Sequence, residues 1–301
     1  MSAPSPAPGA PHTVLSVLRA SEGWLQKRGV EAPKRSAELL LGKVLDVDRL
    51  QLYLDHDRPL EEPERAAMRA LLLRRGEGEP VAHLLGAWSF RELELEVGPS
   101  VLIPRPETEE LVDVALARLG DCASPVILDL GTGSGALAIA LASERPGAQV
   151  LAVDASQNAL AVARSNAAGN GVADRVTFAH GSWWEAVEAG RCFDLVVSNP
   201  PYIDPQDPVG LAEDVKRYEP ALALFSAPGD PASCYRQIAA GLSERLRPGG
   251  WFVAETGLGA AASARDAVAA AAGMASVELL LDAAGKDRFV VAQRGGECVA
   301  G

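Results

Sequence analysis

Cysteine is scarce in this chain, and the few present do not cluster. Cys122, Cys192, Cys234 and Cys298 stand far apart with no paired spacing. That excludes a disulfide framework and a thiolate zinc site, and it fits a reducing, cytoplasmic setting. His12 and His83 lack Cys, His or carboxylate neighbours at ligand spacing, so no metal is expected and both read as structural. Basic residues are outnumbered, 28 Lys and Arg against 40 Asp and Glu, for a net charge of −12. Gripping a phosphate backbone needs clustered Lys and Arg, so no direct nucleic-acid partner is expected; most of the acidity serves solubility. No apolar run approaches the roughly 20 residues that a membrane-spanning helix needs, so no membrane partner is expected either. Residues 1–12 are rich in Pro and Ala without the basic start or apolar centre of a signal peptide. They read as a disordered tail, with a second tail at 295–301.

What remains is ample for two folded parts. A chain of 301 residues with 48% hydrophobic content can hold one large domain and one small one. In the amino-terminal part, Val14, Leu15, Leu18, Trp24 and Leu25 recur at helical spacing, and Ala37 to Leu45 forms a second apolar stripe. Asp48 to Leu54 reads as a short third helix. Pro63 opens a fourth, at a position where its missing N–H costs nothing. Residues 13–76 are therefore expected to form a small helical bundle. The run Gly76-Glu77-Gly78-Glu79-Pro80 breaks the helix, and Leu93, Leu95 and Val97 alternate with Glu94 and Glu96 as in a half-buried strand. A linker carrying a β-hairpin is expected at 77–100.

From 101 to 294 strands and helices alternate. Helices are predicted at 108–119, 135–144, 156–168, 231–246 and 260–272. Strands are predicted at 125–130, 149–153, 174–179, 193–198, 250–255, 276–281 and 287–293. Such alternation implies an α/β fold, an open and mostly parallel sheet with helices on both faces. The last two strands are separated by Asp282-Ala283-Ala284-Gly285-Lys286, too short for a crossover, so they pair antiparallel. A doubly wound sheet closed by an antiparallel hairpin is the class I methyltransferase variant of the Rossmann-like fold.

Two clusters of chemistry fall at the carboxyl ends of these strands. Gly131-Thr132-Gly133-Ser134-Gly135 follows an apolar strand and precedes a helix, so backbone can approach a ligand closely there and helix N–H groups stay free. Asp154 ends the next strand, placed to take the two hydroxyls of a ribose. Glycines and acid alone fit a dinucleotide site as well. The second cluster is Asn199-Pro200-Pro201-Tyr202 after the run Phe193 to Ser198. The Asn199 amide oxygen and the Pro200 carbonyl can each accept one N–H of a planar NH2 group, while Tyr202 covers the attached plane. Proline stiffens the loop. Holding both hydrogens favours pyramidalisation and turns a delocalised lone pair towards an electrophile. An Asn-Pro pair after a strand also serves as an ordinary turn. The order of glycine loop, acidic strand end and Asn-Pro-Pro-Tyr points to S-adenosyl-L-methionine with an amino-group acceptor. Asn199, Pro200 and Tyr202 are the candidate catalytic residues, and Pro201 joins them in gripping the substrate.

Longer segments carry a resemblance. They are Gly78-Glu79-Pro80-Val81-Ala82-His83-Leu84-Leu85-Gly86, Leu102-Ile103-Pro104-Arg105-Pro106-Glu107-Thr108-Glu109, Ile127 to Ala136, Ser198 to Ile203, and Tyr218-Glu219-Pro220 with Ala223-Leu224. Together they resemble the release-factor glutamine methyltransferases, the HemK/PrmC family, from about Thr13 to Val291. The resemblance implies transfer of a methyl group from S-adenosyl-L-methionine to the Gln amide of the Gly-Gly-Gln motif in peptide chain release factors. It also implies a cofactor pocket formed by Gly131, Thr132, Gly133, Ser134, Gly135, Asp154, Trp183 and Asn199, bordered by the Glu107 region. The helical domain would dock the release factor, and the chain would act as a monomer. Ser182 departs from the pattern, since many relatives carry an Asp there to accept from the adenine amino group. Of the adjacent Trp183 and Trp184, the resemblance assigns Trp183 to adenine. An adenine-N6 DNA methyltransferase and an rRNA guanine methyltransferase handle a similar flat NH2 group, and a non-catalytic nucleotide-binding module is a third alternative.

Overall fold

Contacts divide the chain into two units, Met1–Ala87 with Ala212–Tyr218, and Trp88–Leu211 with Glu219–Gly301. The computed structural model describes residues 12–208, 210–257 and 259–296. The tail expected at 1–12 lies outside them except for His12, and so does 297–301 of the second tail.

The first unit is helical. It comprises α1 (Val14–Gln26), α2 (Pro33–Leu45), α3 (Arg49–Leu54), α4 (Glu62–Gly76) and α5 (Val81–Leu85). Local chemistry starts these helices where the sequence suggests. Thr13 accepts the Ser16 N–H, Asp48 accepts the Gln51 N–H, and Glu61 with Glu64 forms a reciprocal capping box. Their apolar stripes meet in one core of Val14, Leu18, Leu25, Leu40, Leu41 and Met68, all buried. The segment expected as a linker is partly helical: Pro80 sets the start of α5, and Gly86, at φ 78°, ends it.

The second unit opens with the hairpin β1 (Ala87–Phe90) and β2 (Leu93–Glu96), then α6 (Pro106–Leu119) and β3 (Val126–Leu130). There follow α7 (Ala136–Glu144), β4 (Gln149–Asp154), α8 (Gln157–Gly169), β5 (Val176–His180) and β6 (Phe193–Ser198). The chain passes through α9 (Glu213–Tyr218), which groups with the first unit, and α10 (Ala221–Leu224). It ends with α11 (Ser233–Arg245), β7 (Leu246–Glu255), α12 (Ala261–Ala269), β8 (Met274–Leu281) and β9 (Asp287–Arg294). The short helices α5, α9 and α10 carry too few turns for a periodic signal and were not expected.

The seven-stranded sheet has the order β5-β4-β3-β6-β7-β9-β8, with every pair parallel except those made by β9. The expected doubly wound sheet with its closing hairpin is what forms. Alternate residues of each strand feed two cores. Ile127, Val150, Leu195 and Val253 pack with α6, α7 and α8, whereas Leu128, Leu151, Val196 and Phe252 pack with α11 and α12. Strand order reverses between β3 and β6, which opens a crevice beyond Leu130 and Ser198.

Candidate active site

The crevice holds a cavity of about 350 Å³ whose walls are mostly apolar. On one side stands the turn after β3. Gly131 and Thr132 both donate their N–H to the Val153 carbonyl, at 2.8 and 3.0 Å, which pins the turn to β4. Asp154 completes the tie: its Oδ2 accepts the Gly133 N–H and its Oδ1 the Ser156 N–H, each at 2.8 Å. An ionised carboxylate offers about four lone-pair sites, so each oxygen keeps one for a ligand. Burial raises the Asp154 pKa, opposed by those two N–H groups. Behind the turn, Asp129 is fully buried and accepts the Thr132 hydroxyl at 2.6 Å; burial chiefly, and then the charge of Asp154, lifts its pKa to about 7.

The opposite wall comes from the loop after β5 and from α11. Trp183 and Ser182 line the cavity with Cys234 and Gln237. Trp183 has a left-handed backbone, φ 48°, and its indole N–H donates to Gln237 Oε1 at 3.0 Å. Trp184 turns the other way. Its N–H donates to the Gln237 and Ile238 carbonyls, and its ring lies where a Cβ on Gly241 would come within 2.4 Å.

Asn199 and Pro201 form the floor. The Asn199 Nδ2 donates to Thr108 Oγ1 at 3.3 Å, and Thr108 donates to Glu255 Oε2 at 2.7 Å. Three residues expected at the site do not line the cavity. Pro200 is buried, and Tyr202 points its hydroxyl at Glu255 Oε1, 3.5 Å away. Gly135 sits behind the turn at φ 85°, where a Cβ would meet Ile139 at 2.8 Å and Ala163 at 3.2 Å. Its glycine serves the left-handed start of α7 and the approach of α8, not the ligand face.

The rim is tied down by Glu219, which accepts the Ile103 N–H at 3.1 Å and pairs with Arg105. Sequence reading missed Thr108 and Glu255 as neighbours of Asn199. Thr108 stood in a recognised segment, and Glu255 ends a strand one place beyond the Ser198–Ala254 pair; a carboxylate at such a strand end was the available signal. Gln237 and Cys234, on an amphipathic helix, gave none. Among the described residues no cluster of His, Cys, Asp or Glu could hold a metal, and no helix is long and apolar enough to cross a membrane.

The chain is similar to known proteins along nearly its whole length. Residues 16–86 match the PrmC N-terminal domain family and residues 110–214 the methyltransferase small domain family. A release factor glutamine methyltransferase of Geobacter sulfurreducens is 43% identical over 249 residues, 83% of this chain and 86% of that protein. The one from Rhodopirellula baltica is 37% identical over 94% of this chain and 97% of its own length. The chain belongs to the release factor glutamine methyltransferase family. In fold it is also similar to a methyltransferase from Pyrococcus furiosus, TM-score 0.50 at 19% identity, covering 69% of this chain and 91% of the other. Like the family, the chain is a methyltransferase, and its cofactor is S-adenosyl-L-methionine. The residues present fit that group: Asp154 retains acceptor capacity for a diol, Trp183 offers an aromatic face, and the walls are otherwise largely apolar.

Proposed function

We propose that this chain transfers a methyl group to the N5 side-chain nitrogen of the Gln in the Gly-Gly-Gln motif of peptide chain release factors. The release-factor substrate is read from the relatives to which the chain is similar, and the observation that carries the amide acceptor is the orientation of Asn199. Its NH2 is engaged by Thr108, so Oδ1 is left to accept from a ligand at the floor of the cavity.

When bound, S-adenosyl-L-methionine supplies an activated methyl group on a sulfonium. Asp154 would hold its ribose hydroxyls, Trp183 would lie against the adenine, and Gly131, Thr132, Gly133 and Ser134 would follow the remainder. At the substrate end, Asn199 Oδ1 accepts one N–H of the Gln amide, and the backbone carbonyl of Pro200, held between the two lining residues Asn199 and Pro201, accepts the other, which draws the nitrogen lone pair out of conjugation. Pro201 and Tyr202 stiffen this loop, Tyr202 through its hydroxyl on Glu255. The main contribution is alignment at a near-attack distance of about 3–3.5 Å. As the nitrogen is alkylated its N–H bonds grow acidic; the two fixed acceptors stabilise the developing positive charge, and one N–H proton is then released to solvent without a strong base, leaving the N-methyl amide. The helical unit docks the folded release factor, whose remote contacts hold the Gln in place. The reading includes a cytoplasmic site of action as a monomer without nucleic acid. It is supported by the separated cysteines and the net charge of −12.

Mass spectrometry of release factors incubated with the protein and S-adenosyl-L-methionine tests this. One methyl group is expected on the Gly-Gly-Gln glutamine, and none when that Gln is changed to Glu. Asn199→Ala is expected to lower kcat by on the order of 10²–10³. Efficient methylation of duplex DNA with release factors left untouched would overturn the reading.

A further inference from the structure

We infer that Glu255, acting through Thr108, is a positioning residue that fixes which end of the Asn199 side-chain amide faces the substrate. This rests on the reading of Asn199 as the acceptor of a substrate N–H.

An Asn side chain is nearly symmetric in shape, but its two ends are chemically opposite. A substrate NH2 meets an acceptor if Oδ1 faces it and another donor if Nδ2 does. Something must choose between them. Thr108 can, because its hydroxyl has a single hydrogen. That hydrogen goes to Glu255 Oε2 at 2.7 Å, so towards Asn199 the hydroxyl offers only lone pairs and receives Nδ2 at 3.3 Å. Oδ1 is thereby left for the cavity. Thr108 and Glu255 are 4% and 2% exposed, so water cannot easily take the place of either partner. The fold aligns the chain of three. The parallel register of β6 and β7 sets Glu255 beside Asn199, and Thr108 comes from the first turn of α6.

The choice depends on the charge of Glu255. Ionised, it can only accept, and the order Asn199 to Thr108 to Glu255 is forced. Protonated, it can donate to Thr108, which frees the Thr108 hydrogen for Asn199 Oδ1 and lets the amide turn its NH2 to the substrate. Burial first, and then the negative charge of Glu107, raises the Glu255 pKa to about 7, while Thr108, Arg288 and Tyr202 hold it down. Tyr235 donates to the Glu255 backbone carbonyl at 2.7 Å and leaves the carboxylate free for Thr108. The productive form is the carboxylate, so turnover should fall as pH drops through about 7.

Kinetics on the full chain with an intact release factor test this, with Asn199→Ala measured in parallel. Thr108→Val should lower kcat about tenfold, the size of one neutral hydrogen bond, with little change in release-factor KM. Thr108→Ser should restore it. The wild-type kcat should show an acidic limb near pH 7 that Glu255→Gln and Thr108→Val both remove. By NMR, the Asn199 side-chain NH2 resonances should titrate along that limb in the wild type and stay fixed in Glu255→Gln. If Thr108→Val or the pH limb is indistinguishable from wild type while Asn199→Ala is impaired, the positioning role is overturned and the acceptor reading stands. If Asn199→Ala itself turns over normally, the acceptor reading falls and this one with it. Should Thr108→Val fold poorly, failure of Thr108→Ser to recover kcat, or an unshifted limb in Glu255→Gln, is equally decisive against it.

Discussion

Arg105 and Glu219, 114 residues apart in sequence, form an ion pair whose carboxylate side chain is 1% exposed. They are the chain neighbours of Pro104 and Pro220, which line the cavity, and Glu219 also holds the Ile103 N–H. Removing the cation leaves a buried charge, whereas neutralising the acid leaves an amide that can still bond. Arg105→Ala should therefore destabilise the protein by roughly 1–3 kcal/mol, and Glu219→Gln by less. Urea midpoints at constant slope would measure both; equal losses would mean that the carboxylate is hydrated in solution.

Asp154 joins the glycine turn to the start of α8 and still has acceptor capacity to offer. Asp154→Ala should weaken S-adenosyl-L-methionine binding by roughly 1.5–3 kcal/mol, the value of hydrogen bonds to a charged group. Because the Gly133 and Ser156 N–H groups lose their partner, the variant should also unfold more readily. Asp154→Asn, which keeps one carbonyl oxygen, should fall between. Calorimetry giving wild-type affinity for the alanine variant would remove Asp154 from the cofactor site.

The adjacent tryptophans should separate into two phenotypes. Trp183 lines the cavity, and Trp183→Ala should loosen S-adenosyl-L-methionine by roughly 1–3 kcal/mol, the worth of a base stacked on an aromatic ring. Trp184 lies against Gly241, and Trp184→Ala should instead destabilise the fold by up to about 3 kcal/mol with affinity nearly intact. Ser182→Asp should keep or tighten binding by adding charge to an acceptor at the cavity wall. Cofactor titrations and melting curves of the three variants would show a reversed order if the roles are exchanged.

Where periodicity and turn chemistry act locally, the sequence announced the structure. The strand Phe193–Ser198 falls at the expected residues, and the short connection after Leu281 enforced the antiparallel closure. That Asp154 and Asn199 face one cavity was legible, because strand-end residues in this topology converge on one crevice. Thr108 and Glu255 were not, because their partnership links α6 to β7 across 147 residues and no local pattern encodes it. Gly135 was misplaced for a related reason. A glycine needed to pass a neighbouring helix and one needed to pass a ligand look alike until Ile139 and Ala163 are seen.

Two buried carboxyls make a testable demand on stability. Asp129 and Glu255 have pKa values raised to about 7 from ordinary values of 3.8 and 4.5, in each case chiefly by burial. A carboxyl that binds its proton more tightly folded than unfolded contributes stability fully below its unfolded pKa, and loses it as pH rises through the folded one. Between about pH 4.5 and 7 the folded chain binds more protons than the unfolded chain at these two sites, so both slopes have the same sign. The net charge of −12 adds self-repulsion in the same direction as carboxyls ionise. The free protein should therefore resist urea better at pH 5 than at pH 8, the reverse of a protein governed by paired surface carboxylates. Asp129→Asn and Glu255→Gln remove the titrating groups while keeping an acceptor for Thr132 and Thr108. The double variant should lose most of the difference between pH 5 and pH 8. A urea midpoint that rises with pH in the wild type, or a slope unchanged in the double variant, would mean that neither carboxyl holds its proton in the folded state.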